Sequence, residues 1–444
     1  MIGAVMNLDG RKQASYVNSE NIGKEVVLAG FVTEYRNIGK NLKFIILLDW
    51  TGEAQVVFSA GKTGEEEMEK IKGVTNQSVV AIKGIIQKSS SEKFAAELLA
   101  KNIEIISRSD QQLPIDISDN TETTFSKRLN WRSLDLRKSE NHSIFKIQSA
   151  FIKGIYNYLV NNEFIQIFTP CLLGTGSESG AEMFSVAYFD KEAFLRQDPQ
   201  LHRQLTIAGG FEKIFEIGPS WRAEESHTMR HLCEHRGIAI EKAYINSEED
   251  IMRLEEEVII SGLNEVTGTC KNELGVLGKK IEVPKKPFPE IRYPEIYDIL
   301  EGLGKKIEFG KEHDWESEML LARYVKEKYG SDFYFINRFP FDSKPFYVMR
   351  VDEDNMWARS VDMIYKGVEL SSGGQREHRY DRLIENVNYK DMKSMGWFTD
   401  VFKYGVPPHG GFGMGVERVI MQLLDIKNVR EATLYPRDPE RLFP

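Results

Sequence analysis

Cysteine is scarce in this chain: Cys171, Cys233 and Cys270 are the only three in 444 residues. Three thiols cannot form a disulfide framework, which excludes the small secreted scaffolds that depend on one. Long apolar runs are missing as well. No stretch approaches the ~20 apolar residues needed to cross a bilayer, and the opening MIGAVMNLDGRKQ lacks the apolar core and small-residue cleavage site of a secretory leader, so a cytoplasmic location is expected. Positive charge is in deficit, with 58 Lys and Arg against 67 Asp and Glu and a net charge of -9. That argues against a surface coated for non-specific nucleic-acid binding, while leaving room for local basic sites. Residues 1–110 are balanced at 14 basic and 14 acidic side chains, so all the excess negative charge lies beyond them. With 41% hydrophobic and 28% charged residues, the chain has material for two or three domains with their own cores.

Five short β-rich runs lie between Val26 and about Ile106: VVLAGFVTEY, LKFIILLD, AQVVFS, VVAIKGIIQ and IEIIS. One helical segment, EEEMEKIKGV, separates the third from the fourth. Three strands, a helix and two strands is the order of a small OB-type barrel, assigned to residues 1–108. The polar stretch around Pro114 reads as a linker over 109–125. Residues 126–444 follow as an α+β domain. There HSIFKIQSAFIKGIYNYLVNN sets Ile144, Ile147, Phe151, Ile155 and Tyr158 at helical spacing. The strand-like runs KIFEIG, GIAIEKAYI, FYFINRF, FYVMRV and GVELSSG are interleaved with helices but lack the regular alternation of a parallel sheet. An antiparallel sheet flanked by helices is expected.

Some motifs are better declined. Gly61-Lys62-Thr63 resembles the end of a phosphate loop, but the first glycine and the βαβ unit are missing, so a surface turn is the simpler reading. Gly411-Phe-Gly413-Met-Gly415 has the wrong spacing for a dinucleotide fingerprint. His227, His231 and His235 recur every four residues and could face zinc, the basis of a zinc-dependent hydrolase alternative. Arg230 and Arg236 stand among them, however, and cations beside a metal site favour a polyanion instead.

The chemistry concentrates in IFEIGPSWRAEESHTMRHLCEH, where a strand delivers Arg222 and a polar turn carries Glu224, Arg230 and His231. It concentrates again in PPHGGFGMGVERVIMQLLDI, where glycines precede a helix whose first turn bears Glu417 and Arg418. These two segments resemble motifs 2 and 3 of class II aminoacyl-tRNA synthetases, and FIQIFTP up to Pro170 resembles motif 1. GVELSSGGQREHRYD, YGVPPHGGFGMGVERV and YPRDPERLFP look most like the aspartyl branch of archaeal and eukaryotic type (subclass IIb), with resemblance over roughly residues 20–444.

The resemblance implies a two-step ligase using ATP and Mg²⁺. L-aspartate is activated to aspartyl-adenylate and then transferred to the 3′ end of tRNA(Asp), with tRNA(Asn) an open second acceptor and a homodimer as the working form. By the same resemblance Arg222 bridges the α-phosphate and the amino-acid carboxylate, Arg418 closes over adenine and the γ-phosphate, and Glu224 bonds the adenine edge. Arg230 and His231 hold the phosphate tail, Leu232, His235, Gly415 and Glu417 complete the ATP site, and Glu369 with Ser372 carries Mg²⁺. Glu178 pairs with the substrate ammonium and Gln200 with its backbone end, Ser372 and Arg203 border the amino acid, and Arg376 clasps the side-chain carboxylate. In the barrel, Arg36, Phe44 and Gln55 fall where the family stacks and reads the anticodon; a core position is the alternative for Phe44.

The sequence departs from the pattern at three places. The family's lysine after PQL-x is Arg203, its aspartate in the strand after motif 2 is Ala239, and its adenine-stacking aromatic is His235. Arg for Lys with Ala for Asp reads as a volume-compensating exchange, or as a sign of altered amino-acid specificity in an asparaginyl enzyme or a paralogue.

Overall fold

The computed structural model describes residues 6–118, 122–174, 182–223, 228–390 and 395–444. It forms two compact units, Met1–Ser139 and Glu140–Pro444. Among the described residues no helix is long and apolar enough to cross a membrane.

In the first unit, β1 (Glu25–Ile38), β2 (Leu42–Asp49), β3 (Gly52–Ser59), β4 (Val79–Lys88) and β5 (Ala96–Ser107) close a barrel in the order β1-β2-β3-β5-β4. Alternation along each strand sends Leu28, Ile45, Leu47, Val56, Phe58, Ile82 and Leu98 inward to one core. The helix Glu65–Lys70 lies between β3 and β4 in sequence. The Gly61-Lys62-Thr63 segment is the turn that leads to it. Gly61 takes φ 85°, Lys62 is exposed, and buried Thr63 donates its hydroxyl to Ala100 O at 2.8 Å. The unit continues through two short helices, Phe125–Asn130 and Arg132–Asp135, whose buried Asp135 accepts from Arg128 and Arg132 at 2.7 Å each.

In the second unit an eight-stranded sheet runs β12-β13-β14-β15-β16-β11-β10-β6. Its strands are β6 (Ile165–Gln166), β10 (Lys213–Trp221), β11 (Glu234–Ala243), β12 (Glu290–Arg292), β13 (Phe333–Asn337), β14 (Ser360–Tyr365), β15 (Val368–Arg376) and β16 (His409–Gly415). All pairs are antiparallel except β10 with β6 and β12 with β13. A three-stranded sheet of β7 (Leu172–Leu173), β9 (Lys191–Leu195) and β8 (Ser185–Tyr188) stands apart from it. FYVMRV does not become a strand: Phe346 and Tyr347 form a turn closed by Val348 N donating to Pro345 O at 3.1 Å, and the rest makes only isolated bridges at Val348–Arg376 and Arg350–Ala358.

The two faces of the large sheet differ in kind. Phe215, Ile238, Ile240, Phe412, Met414, Val361 and Met363 point to one side. There they meet Ile144, Ile147, Phe151 and Ile155 of the Ser139–Asn161 helix and Ile251, Val258 and Leu263 of the Glu248–Thr269 helix. Ser247 caps the latter by accepting from Glu249 N at 3.2 Å. The helices meet where a Cβ on Gly154 would lie 2.5 Å from Ser261 O and one on Gly262 would lie 2.6 Å from the Phe151 ring, so both crossing points require glycine. On the opposite face the same alternation presents Gly218, Gly237, Ala239, Gly411, Gly413 and Ser372. Small residues leave the backbone bare at Gly237, Ala239, Gly413 and Ser372, while Arg196 covers Gly218 and Glu241 covers Gly411.

Candidate active site

That bare face floors a cavity of about 330 Å³. Arg222 and Arg418 both line it, although 196 positions of sequence separate the strand end that carries one from the helix that carries the other. Arg418 Nη1 donates to Glu369 Oε1 at 3.4 Å. His235 lies close to both guanidinium groups. Its burial, with Arg222 and Arg418 next in weight, pushes its pKa down to about 4 and keeps the ring neutral near pH 7.

Around Arg418 the wall carries Arg230, His231 and Leu232. His231 Nδ1 bonds the Thr228 hydroxyl, and the Arg230 guanidinium sits 5.7 Å from the centre of the Trp315 ring. Leu232 packs on Met421 and Val429. Gly415 ends β16 and precedes the Val416–Leu423 helix. Glu417 borders the cavity but spends both carboxylate oxygens on the backbone N–H of Arg236, at 3.1 and 3.0 Å. It thereby ties β11 to the helix that carries Arg418.

Glu369 and Ser372 open into the same cavity. Directly opposite Ser372 across the strand pair is Asp362, which accepts from Lys344 Nζ at 3.1 Å. Desolvation and then mutual repulsion raise the pKa of Glu369; burial raises that of Asp362 against the pull of Lys344. Lys344 keeps its proton, because Asp362 and Glu312 outweigh the cost of burying it. The acceptors in this corner are carboxylate and hydroxyl oxygens, and the two carboxylates meet Arg418 and Lys344 there. Such hard oxygen ligands fit Mg²⁺, which needs only one or two protein ligands when substrate phosphates supply the rest.

At the other end Gln200 begins the Gln200–Ala208 helix and links two cations. Its Oε1 accepts from Arg203 Nη2 at 2.6 Å and from Arg376 Nη2 at 3.3 Å, while its Nε2 donates to Glu241 Oε2 at 2.9 Å. Arg376 is oriented by Glu241 and Gly411 O rather than left open as a two-pronged clamp. Nε donates to Glu241 Oε1 at 3.0 Å and Nη2 to Gly411 O at 2.9 Å. Arg203 does not line the cavity; it lies just beneath, bonded through both terminal nitrogens to Asp198 at 2.7 and 2.8 Å. Ala239 is part of the cavity wall.

Glu178, Glu224 and His227 lie outside the described residues. Among the described residues no three His, Cys, Asp or Glu side chains cluster as a metal centre. In the first unit Phe44 is half-buried on the outer face, opposite Arg36 in the β1–β2 pair, because its neighbour Ile45 takes the core position. Gln55, opposite Ile46, donates to Glu97 Oε2 at 2.6 Å. Arg36 is held by Glu34.

Sequence reading passed over Asp198, Glu241, Lys344 and Asp362. Glu241 was within reach, since it stands two residues after Ala239 and so on the same strand face. The others depend on which segments the fold brings together.

A family model described as tRNA synthetases class II (D, K and N) matches residues 124–439. This chain belongs to that family. A second model, an OB-fold nucleic acid binding domain, matches residues 26–106 of this synthetase-family chain. The aspartate--tRNA(Asp) ligase of Pyrococcus abyssi is 41% identical over 97% of this chain and 99% of its own length. The aspartate--tRNA(Asp/Asn) ligase of Methanopyrus kandleri is 38% identical over 96% and 98%. Among solved structures, asparaginyl-tRNA synthetase of Pyrococcus horikoshii complexed with asparaginyl-adenylate superposes with a TM-score of 0.88, at 32% identity over 98% of this chain and 99% of that one. The aspartyl tRNA synthetase of Entamoeba histolytica gives 0.87, at 28% identity over 98% and 93%.

Proposed function

We propose that this synthetase-family chain is an aspartate–tRNA ligase. It would form aspartyl-adenylate from L-aspartate and ATP with release of pyrophosphate, then pass the aspartyl group to the 3′ end of tRNA(Asp), with tRNA(Asn) an open second acceptor. The observation that carries this reading is the convergence of Arg222 and Arg418 on one cavity floored by glycines, with Glu369 beside Arg418. A carboxylate attacking an already anionic α-phosphate needs fixed positive charge at the reacting phosphate and along the leaving pyrophosphate. Arg222 serves the first position, and Arg418, Arg230 and His231 the second. Mg²⁺, held through Glu369 and Ser372, supplies further charge neutralisation of the triphosphate. Neutral His235 offers a flat face to adenine, the glycine floor lets the nucleotide lie against the backbone, and Glu224 completes the adenine contacts. Gln200, Ser372 and Arg376 hold the amino acid, with Glu178 on its ammonium, while Arg203 acts from beneath the wall. No side chain has to become a nucleophile.

The barrel, residues 1–108, would bind the anticodon through Phe44, Gln55 and Arg36, joined by the 109–125 linker to the catalytic residues 126–444. Homodimerisation is supported by exposed Ile165 and Phe168 in the motif 1 segment and Leu172 just after it, Phe168 being 80% accessible. The reading places the enzyme in the cytoplasm. Pyrophosphate exchange measured with each of the twenty amino acids tests the substrate. A clear rate with aspartate is expected; a negligible one, with a clear rate for asparagine or another amino acid, would overturn it.

A further inference from the structure

Three carboxylates line the cavity among the described residues. Glu369 faces Arg418, and Glu417 is buried on the helix that carries Arg418, with Arg236 N bonded to it. The third, Asp198, stands in the segment just before the Gln200–Ala208 helix, at the end where Gln200 and Arg376 lie. Its two oxygens accept one bond each from Arg203. A carboxylate has about four lone-pair sites, so both oxygens keep capacity for a second donor. The partners differ in exposure: the Arg203 side chain is 1% accessible and that of Asp198 50%. The cation is therefore sealed below the wall, and the outer edge of its anion opens into the cavity.

An amino acid brought into such a site must exchange the hydration of its ammonium group for a fixed anion. Strand position 239, where the family resemblance leads to an expected aspartate, holds alanine here. We infer that Asp198 receives the α-ammonium group of the substrate on its outer edge while neutralising Arg203 on its inner one. It would be a second carboxylate for that group beside Glu178, and it replaces the charge missing at 239. Partial desolvation by the cavity wall works against the Asp198 anion, but Arg203, Arg376 and Arg196 outweigh it and hold its pKa below the ordinary range, so the group is ionised at neutral pH. Arg203 also senses Glu241 and Glu216. Ala239 stands opposite Glu216 and two residues before Glu241, so a carboxylate at 239 would lie within range of the same cation.

The inference rests on the amino-acid-activating reading, and its test separates the two. Pyrophosphate exchange by the full-length protein is measured with L-aspartate, with succinate as competitor, because succinate keeps both carboxylates of aspartate and lacks the ammonium. Asp198→Asn should raise KM for aspartate by about tenfold or more, with KM for ATP and inhibition by succinate nearly unchanged. Adding Ala239→Asp should restore any lost thermal stability by pairing Arg203 again, without restoring KM. Equal weakening of aspartate and succinate, an unchanged KM, or recovery of KM in the double variant would overturn the inference. Failure of the activating reading shows instead in the wild type, as no exchange with any amino acid. Should the wild type prefer another amino acid, the same comparison is run with it and its deaminated analogue, and the same outcomes decide.

Discussion

Glu369 and Ser372 point to the same side of β15 although three positions separate them. A regular strand would place residues at that spacing on opposite faces. Glu369 pairs with Ile364 and Ser371 with Met363, so Leu370 is an extra residue, a bulge that resets the alternation. Carboxylate and hydroxyl thus come together in the cavity corner next to Asp362. If they hold Mg²⁺, Glu369→Gln should lower exchange most at limiting Mg²⁺ and recover in part as Mg²⁺ is raised. A magnesium titration of the exchange rate checks this, and a uniform loss at every concentration would contradict it.

Gly413 and Gly411 are two residues apart on one strand face but should respond differently to substitution. A Cβ at Gly413 meets nothing within 4 Å, whereas one at Gly411 would stand 2.0 Å from Ile240 O and 2.4 Å from Glu241 Oε2. Gly413→Val is expected to fold with near-normal thermal stability and to lose ATP binding by filling the cavity. Gly411→Ala should be destabilised by several kcal/mol, on the order of the larger overpacking penalties. Thermal melts beside calorimetric ATP titrations distinguish the two.

Arg222→Ala and Arg418→Ala should each lower pyrophosphate exchange by about a hundredfold or more, the scale at which a donor aimed at developing charge is lost. Lys62→Ala, on an exposed turn of the barrel, should leave exchange within about twofold. A reversal of that order would favour a nucleotide site in the barrel.

Glu318 gives a pH-dependent prediction. Desolvation, then the nearby Glu369, raise its pKa from 4.5 to about 7 against the pull of Arg230. In the nucleotide- and metal-free protein the folded state therefore holds a proton that the unfolded chain releases between about pH 4.5 and 7, and stability declines as pH rises through that window. Glu318→Gln removes the ionisation. It should add on the order of 1 kcal/mol above pH 7, discounted for the part of the side chain that meets solvent, and nothing near pH 4.5. Urea denaturation at the two pH values measures the difference.

Much of this protein was settled by local pattern. Short β-rich runs and their order around one helical segment marked the barrel strands, and period 3.6 marked the Ser139–Asn161 helix, because both signals are local to one stretch of chain. The segments carrying Arg222, Arg230, Gly413 and Arg418 were legible from their charge and glycine content, and the family from their order. Tertiary structure decided what depends on partners distant in the chain. Phe44 could be placed on the outer face only once Ile45 was known to take the core. The meeting of Ser372 with Asp362 required the β14–β15 register and its bulge. Arg203 and Arg376 are both cations by sequence, yet Asp198 and Glu241 determine which faces of them a ligand can reach. Electrostatic partnership acts through space, over a few ångströms, and strand pairing across a hundred residues or more is what sets those distances.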